Sequence, residues 1–166
     1  TINPQLTPTG TITGNVSITS GSTSQGVAGV FVYIEGTSYI AVTDTAGNFS
    51  IDNVPSNTLT NGTAYTLLIS SDEGSASPVT GLTVSPGATY DAGTISLTPT
   101  PATSYVLLNG SLVAGSNVTA AELAEQFVII THQNSGTIFG THTDSSGNYT
   151  FRVTETGTYL VLCTEG

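Results

Sequence analysis

From Thr11 onward, short apolar and β-branched runs alternate with clusters of Gly, Pro, Asn and Ser. Within the runs the apolar residues tend to fall on every second position, as a strand with one buried face requires. Seven such runs, Thr11–Thr19, Val30–Glu35, Tyr39–Asp44, Asn48–Val54, Ala64–Ser70, Val79–Val84 and Tyr90–Leu97, are the strands predicted for a first unit. Recurrence roughly every 10 residues, with turn residues between, points to a sandwich or barrel. Thr98-Pro99-Thr100-Pro101 then reads as a stiff, extended linker, because proline fixes its own φ and pushes its predecessor toward extended backbone.

Beyond the linker the pattern repeats. Thr43–Ile51 (TDTAGNFSI) matches Thr143–Phe151 (TDSSGNYTF), and Ala64–Ser70 (AYTLLIS) resembles Thr158–Thr164 (TYLVLCT). The order of turn, strand, loop and apolar strand is kept, so the chain reads as two copies of one β module. The expected organisation is a tail over 1–9, a β-sandwich over 10–98, a Pro-rich linker over 99–102 and a second sandwich over 103–166. A helix is expected around Ala120–Phe127, opened by a capping box of Thr119 and Glu122. The second copy holds no counterpart of Val79–Val84 or Tyr90–Leu97, so it is expected to be C-terminally incomplete. A sandwich short of its last strands exposes core and unpaired backbone.

Gly10-Thr11-Ile12-Thr13-Gly14-Asn15-Val16, Gly29–Val32, Thr43–Ile51 and the Tyr65-led strand together resemble carboxypeptidase regulatory-like domains. The resemblance runs over about residues 10–97 and, more weakly, 103–166. It implies an all-β fold of two tandem Greek-key-type, transthyretin-like β-sandwiches. It also implies a non-catalytic spacer, adhesin module or accessory unit, an architecture more than an activity.

Composition narrows the function classes. Charged residues are 7% of the chain, lysine is absent, Arg152 is the one strong base and the formal charge is −10. Phosphate recognition needs clustered Lys and Arg, so the charge balance disfavours nucleic acid as a partner and equally disfavours anionic lipid. The apolar runs are too short for a transmembrane helix. Fifty Ser and Thr give a polar, uncharged coat in place of an ionic one. A chain opening at Thr1 without methionine reads as a mature, secreted protein whose signal peptide has gone.

The tail carries a pattern of its own. Ile2, Pro4, Leu6 and Pro8 fall on alternate residues, one face of a strand. They are the expected donor-strand contacts, completing the second sandwich of an identical neighbouring subunit. Head-to-tail contacts of that kind do not close on themselves and generate a filament. In this respect the chain resembles donor-strand pilus or thread subunits.

Candidate chemistry is sparse. N-x-[ST] sequons at Asn15, Asn48, Asn61, Asn109, Asn117 and Asn148 mark expected sites of covalent N-glycans, with Asn48 and Asn148 at equivalent points of the two repeats. Asp44–Gly47 and Asp144–Gly147 each offer one carboxylate where a calcium loop needs several, so they read as turns. His132 and His142 flank a hairpin near Asn134–Gly136 and should not face one another, which leaves them as hydrogen-bonded strand residues rather than a zinc site. Cys163 aligns with Ile69 on an inward face and is expected in the core. Asp72-Glu73 point to opposite sides of a strand and lack a tryptophan-lined sugar cleft. Neither a nucleophile elbow nor a phosphate loop is present. The expectation is therefore no enzyme, no cofactor and no metal. It is an extracellular, surface-appendage homopolymer subunit. The alternatives are a monomeric adhesin, a carbohydrate-binding module, or an accessory domain of a larger secreted protein.

Overall fold

The computed structural model describes residues 7–58 and 62–164. The strands are β1 (Thr9–Ser20), β2 (Thr23–Gly26), β3 (Phe31–Ile34), β4 (Ile40–Val42), β5 (Asn48–Pro55), β6 (Tyr65–Ser70), β7 (Gly74–Ser75), β8 (Val79–Leu82) and β9 (Thr89–Pro99) in the first half. The second half holds β10 (Val106–Ser111), β11 (Phe127–His132), β12 (Ile138–His142), β13 (Asn148–Val153) and β14 (Tyr159–Thr164). The seven predicted runs of the first half all form strands. The short β2 and β7, which carry no apolar alternation, were not predicted.

In the first half, β1 pairs antiparallel with β5 and then, toward its end, with β2. Along its other edge β9 runs parallel, from Thr11↔Thr89 to Ile18↔Leu97, and β7 lies beyond β9. The facing sheet has the order β4-β3-β6-β8. Ile12, Val16, Phe49, Ile51, Ile95 and Leu97 from one sheet meet Val32, Ile34, Leu67 and Leu82 from the other in a single core. Two sheets closing on one core make a β-sandwich arrangement. Full burial of each such side chain stabilises by roughly 1.5–3 kcal/mol.

The second half repeats this on a smaller scale. β10 pairs β13, and β11 lies between β12 and β14. Val128, Ile130, Phe151 and Val153 are buried together, with Leu108, Phe139, Tyr149 and Tyr159 packed around them. Pairing makes the correspondence residue by residue: Gly14↔Phe49 in the first half answers Gly110↔Tyr149 in the second. Thr43 Oγ1 donates to the Val27 carbonyl at 2.6 Å and accepts from the Val30 N–H at 2.9 Å. Thr143 makes the same two bonds, to Leu123 at 2.6 Å and from Gln126 at 2.9 Å. The phenols of Tyr65 and Tyr159 each donate back to a carbonyl, Pro55 at 3.0 Å and Glu155 at 2.9 Å.

The helix expected over Ala120–Phe127 is instead one 3-10 turn, Ala120–Leu123. Glu122 does accept from the Thr119 N–H (2.6 Å) and hydroxyl (2.8 Å). But no residue of the turn is buried, Glu125 leaves helical geometry at φ 56, and Phe127 enters β11. A cap without an apolar face to bury does not propagate.

Candidate functional site

The residues that stand out are apolar and exposed. β1 has β9 along its second edge and β6 has β8, whereas β10 and β14 each have one neighbour among the described residues. The ladder registers make Leu67 and Val161 equivalent, opposite Ile34 and Ile130. Leu67 is 0% exposed and Val161 is 47% exposed. Ile12 and Val16 are fully buried, while their counterparts Leu108 and Leu112 are only half-buried. On the same strands or beside them, Val106, Leu107, Val113, Leu160 and Leu162 are exposed. Between β10 and β14 lies a pocket of about 520 Å³ lined by Leu112, Val113, Val118, Glu122, Leu123, Gln126 and Cys163. Cys163 keeps the inward alignment expected for it, opposite Val128, yet it is exposed rather than in the core. Among the described residues its strand is an edge, with β11 as its one neighbour.

A second feature lies where the two halves meet. Phe31 and Phe127 pack edge-on with ring centroids 6.0 Å apart, and Ser70 Oγ donates to the Ile138 carbonyl at 3.2 Å. The backbones of Gly29 and Thr141 approach so closely that a Cβ on Gly29 would sit 2.5 Å from Thr141 Cα. Arg152 N–H donates to Asp72 Oδ2 at 2.7 Å, its guanidinium pairs with Glu73 at 3.3 Å and it lies 5.6 Å from the Tyr105 ring centroid. The chain's one strong base is thus spent on holding the halves together. Burial pushes the Asp72 carboxyl up to about 6. An apolar groove of about 590 Å³ runs along this junction between Phe31, Tyr33, Ile40, Ile129, Ile138 and Leu162.

Of the expected donor contacts, Ile2, Pro4 and Leu6 lie outside the described residues, as does the sequon at Asn61. Pro8 is described: its carbonyl accepts from Ser56 N–H at 2.7 Å, which fixes it to the first half of its own chain. The other sequons separate into two groups. Asn15 Nδ2 donates to Ala46 and Asn48, Asn48 Nδ2 donates to Asp44, and Asn148 Nδ2 donates to Asp144, all between 3.0 and 3.2 Å. Asn109 accepts from Thr150 at 2.9 Å through its oxygen, and Asn117 is exposed in the stretch between β10 and the 3-10 turn.

Asp44 and Asp144 fold their loops as turns. Asp44 Oδ1 accepts from Ala46 and Asn48 N–H at 2.9 and 2.8 Å; Asp144 Oδ1 accepts from Ser146 and Asn148 at 2.8 and 2.9 Å. The backbone bonds from Asn48 and Asn148 hold the two carboxyls below the usual range. His132 is buried, with Nδ1 2.7 Å from Ser135 Oγ and 3.1 Å from Glu155 Oε2. His142 pairs with Phe127 on β11, its Nδ1 is buried without a hydrogen-bond partner, and burial lowers its pKa. Among the described residues no three His, Cys, Asp or Glu side chains gather as a metal site. Nor is any described helix long and apolar enough to cross a membrane.

No protein-family model and no curated protein matches the chain. Solved structures similar to it include GBS52, the minor pilin of Streptococcus agalactiae, at 15% identity and TM-score 0.42, over 57% of this chain and 47% of that one. Others are a candidate carbohydrate binding protein from Bacteroides uniformis (14%, TM-score 0.38, 89% and 80%) and a DUF3823 family protein from Bacteroides ovatus (16%, TM-score 0.39, 95% and 81%). The chain spans about half the length of the minor pilin. Superpositions at this level assign neither family nor function.

Proposed function

We propose that the chain is a structural, non-enzymatic subunit of an extracellular filament, polymerised head-to-tail by donor-strand complementation and carrying N-glycans. The carrying observation is that Leu108, Leu112 and Val161 are half-buried to exposed, while Ile12, Val16 and Leu67, their first-half counterparts, are fully buried. Val161 at 47% exposure, against a fully buried Leu67 at the equivalent position, is what an unfilled strand position would leave. Such an edge in a freestanding monomer is an aggregation hazard. Strand addition removes the hazard and supplies a row of backbone hydrogen bonds as the adhesive. The two tandem modules, 10–98 and 103–166, would then be beads on one continuous fibre. Asn109 and Asn117, whose side-chain nitrogens take no part in the turn networks, are the first sequons to examine for glycans.

The rival reading, a monomeric adhesin or carbohydrate-binding module, gains little from the tyrosines. Tyr39, Tyr65, Tyr90, Tyr149 and Tyr159 pack half-buried against the two cores rather than forming an exposed platform for sugar rings. Electron microscopy of the undissociated protein tests the reading. Fibres that disappear when Thr1–Thr9 is deleted are expected. Discrete monomers with or without the tail would return the protein to the adhesin class.

A further inference from the structure

The open slot already has a filled version in the same molecule. β9 lies parallel along β1, with Val16 opposite Ile95 and Ile18 opposite Leu97, and both β9 side chains are buried. Leu112 is the counterpart of Val16: their N–H groups donate to the carbonyls of Gly147 and Gly47 at 2.9 and 2.8 Å. Leu112 also lines the 520 Å³ pocket, so the place that β9 takes beside β1 lies, beside the counterpart of Val16, next to that pocket.

β9 runs out through Leu97-Thr98-Pro99 into Thr100, and the tail ends in Leu6-Thr7-Pro8-Thr9, the same four residues in the same order. Each copy of the motif leads into the first strand of a module, β10 in one case and β1 in the other. Aligned on that motif, Pro4 falls where Ile95 stands and Leu6 where Leu97 stands. The segment Thr1–Thr9 carries no acidic side chain, so nothing in it would meet a like charge at Glu122, which lines the pocket beside Leu112 and Leu123. Its prolines share the parity of Ile2 and Leu6, so the N–H groups of Asn3, Gln5 and Thr7 remain for one neighbouring strand. A strand with prolines on one side suits an outer edge, not a place between two strands.

Resting on the filament reading above, we infer that residues 1–7 of a second copy of this chain lie parallel to the end of β10 and to 112–114 beyond it, standing in for β9. Pro4 sits opposite Leu112 and Leu6 opposite Ala114, with the Leu6 side chain in the pocket beside Cys163. Pro8, held by Ser56 of its own first half, then sets the joint directly at β1. β9, by contrast, is separated from β10 by 100–105.

Native Cys163 supplies the probe. The Leu6→Cys chain, assembled and mildly oxidised, should run on a non-reducing gel as a ladder of disulfide-linked multimers. The ladder should vanish with reductant or with Cys163→Ser. A synthetic peptide of residues 1–9, added to dissociated subunits, should halt fibre growth, and its Leu6→Asp version should bind at least roughly tenfold more weakly. Fibres without a Leu6→Cys ladder, but with one in a Leu6→Cys, Cys163→Ser, Leu160→Cys chain, would place the tail on the outer face of β14. That outcome overturns the slot and keeps the filament. A faster-migrating cross-linked monomer would mean that the tail serves its own chain and would overturn the slot. Absence of both fibres and ladder would sink slot and filament together.

Discussion

Leu67 and Val161 occupy equivalent ladder positions in the two halves, but β6 has β8 along its second edge, whereas β14 has one neighbour among the described residues. In the first half, β8 and β9 close the sandwich and the core extends from Ile12 to Leu97. In the second, the same inward face of β14 meets a pocket and solvent. Local chemistry is shared: the Asp turn, the buried threonine and the tyrosine that bonds back to a carbonyl recur with nearly unchanged distances. The difference lies in what a strand edge has to pair with. A module's turns and first strands are set locally, while the cover on its edges depends on strands distant in sequence, as β9 is from β1.

The sharpest way to break the comparison is to remove the same bulk from both places. Leu67→Ala should cost about 2–5 kcal/mol, as a sealed core position does. Val161→Ala in dissociated subunits should cost under about 1 kcal/mol, because half of that side chain is already in water. Denaturant unfolding of the two variants measures both. Equal losses in the dissociated protein would mean that the second core is closed in solution without a partner. In assembled fibres the gap should narrow, since Val161 is then covered.

The shared turn offers a smaller contrast. Gly47 and Gly147 both have left-handed backbone, φ 83 and φ 78, so alanine at either is strained by about 1–2 kcal/mol. A Cβ on Gly47 would also strike the Val16 carbonyl on β1, whereas on Gly147 the nearest atom is the Leu123 side chain at 3.0 Å. Gly47→Ala should therefore lower the unfolding midpoint further than Gly147→Ala. The reverse order would show that the tight seat on β1 is not what holds the first turn.

Much of this was legible in the sequence. Alternation gave the strands, because a half-buried sheet imposes period two on any chain that forms it. The TDxxGN repeat gave the duplicated turn, because aspartate and glycine are needed there for separate backbone reasons. The alignment of Tyr159, Val161 and Cys163 with Tyr65, Leu67 and Ile69 gave the correct face of β14. It did not give their exposure, since facing inward and being covered are different facts, and the second depends on a neighbouring strand. The Thr119–Glu122 cap invited a helix, but Val128 and Ile130 reach the core only if Phe127–His132 is extended. The Arg152–Asp72 link joins residues far apart in the chain and leaves no local trace.

That link carries the smallest of the expected effects. Burial raises the Asp72 carboxyl from its ordinary 3.8 to about 6, Glu73 adds to the shift, and the Arg152 N–H and guanidinium oppose it. A raised folded value means that the folded protein holds the proton more tightly than the unfolded chain. The contribution of Asp72 to stability is thus present below about pH 4 and lost as pH rises through about 6. Asp44 and Asp144 work the other way: their values are lowered, so their contribution is lost as pH falls. Asp72→Asn keeps an oxygen for the Arg152 N–H and removes the buried charge. It should leave stability at pH 4 nearly unchanged and raise it at pH 7 by roughly 1–2 kcal/mol, read from denaturant midpoints across that range. A loss at pH 7 would mean that the ionised carboxylate, held between Glu73 and Arg152, is itself what clamps the second half onto the first.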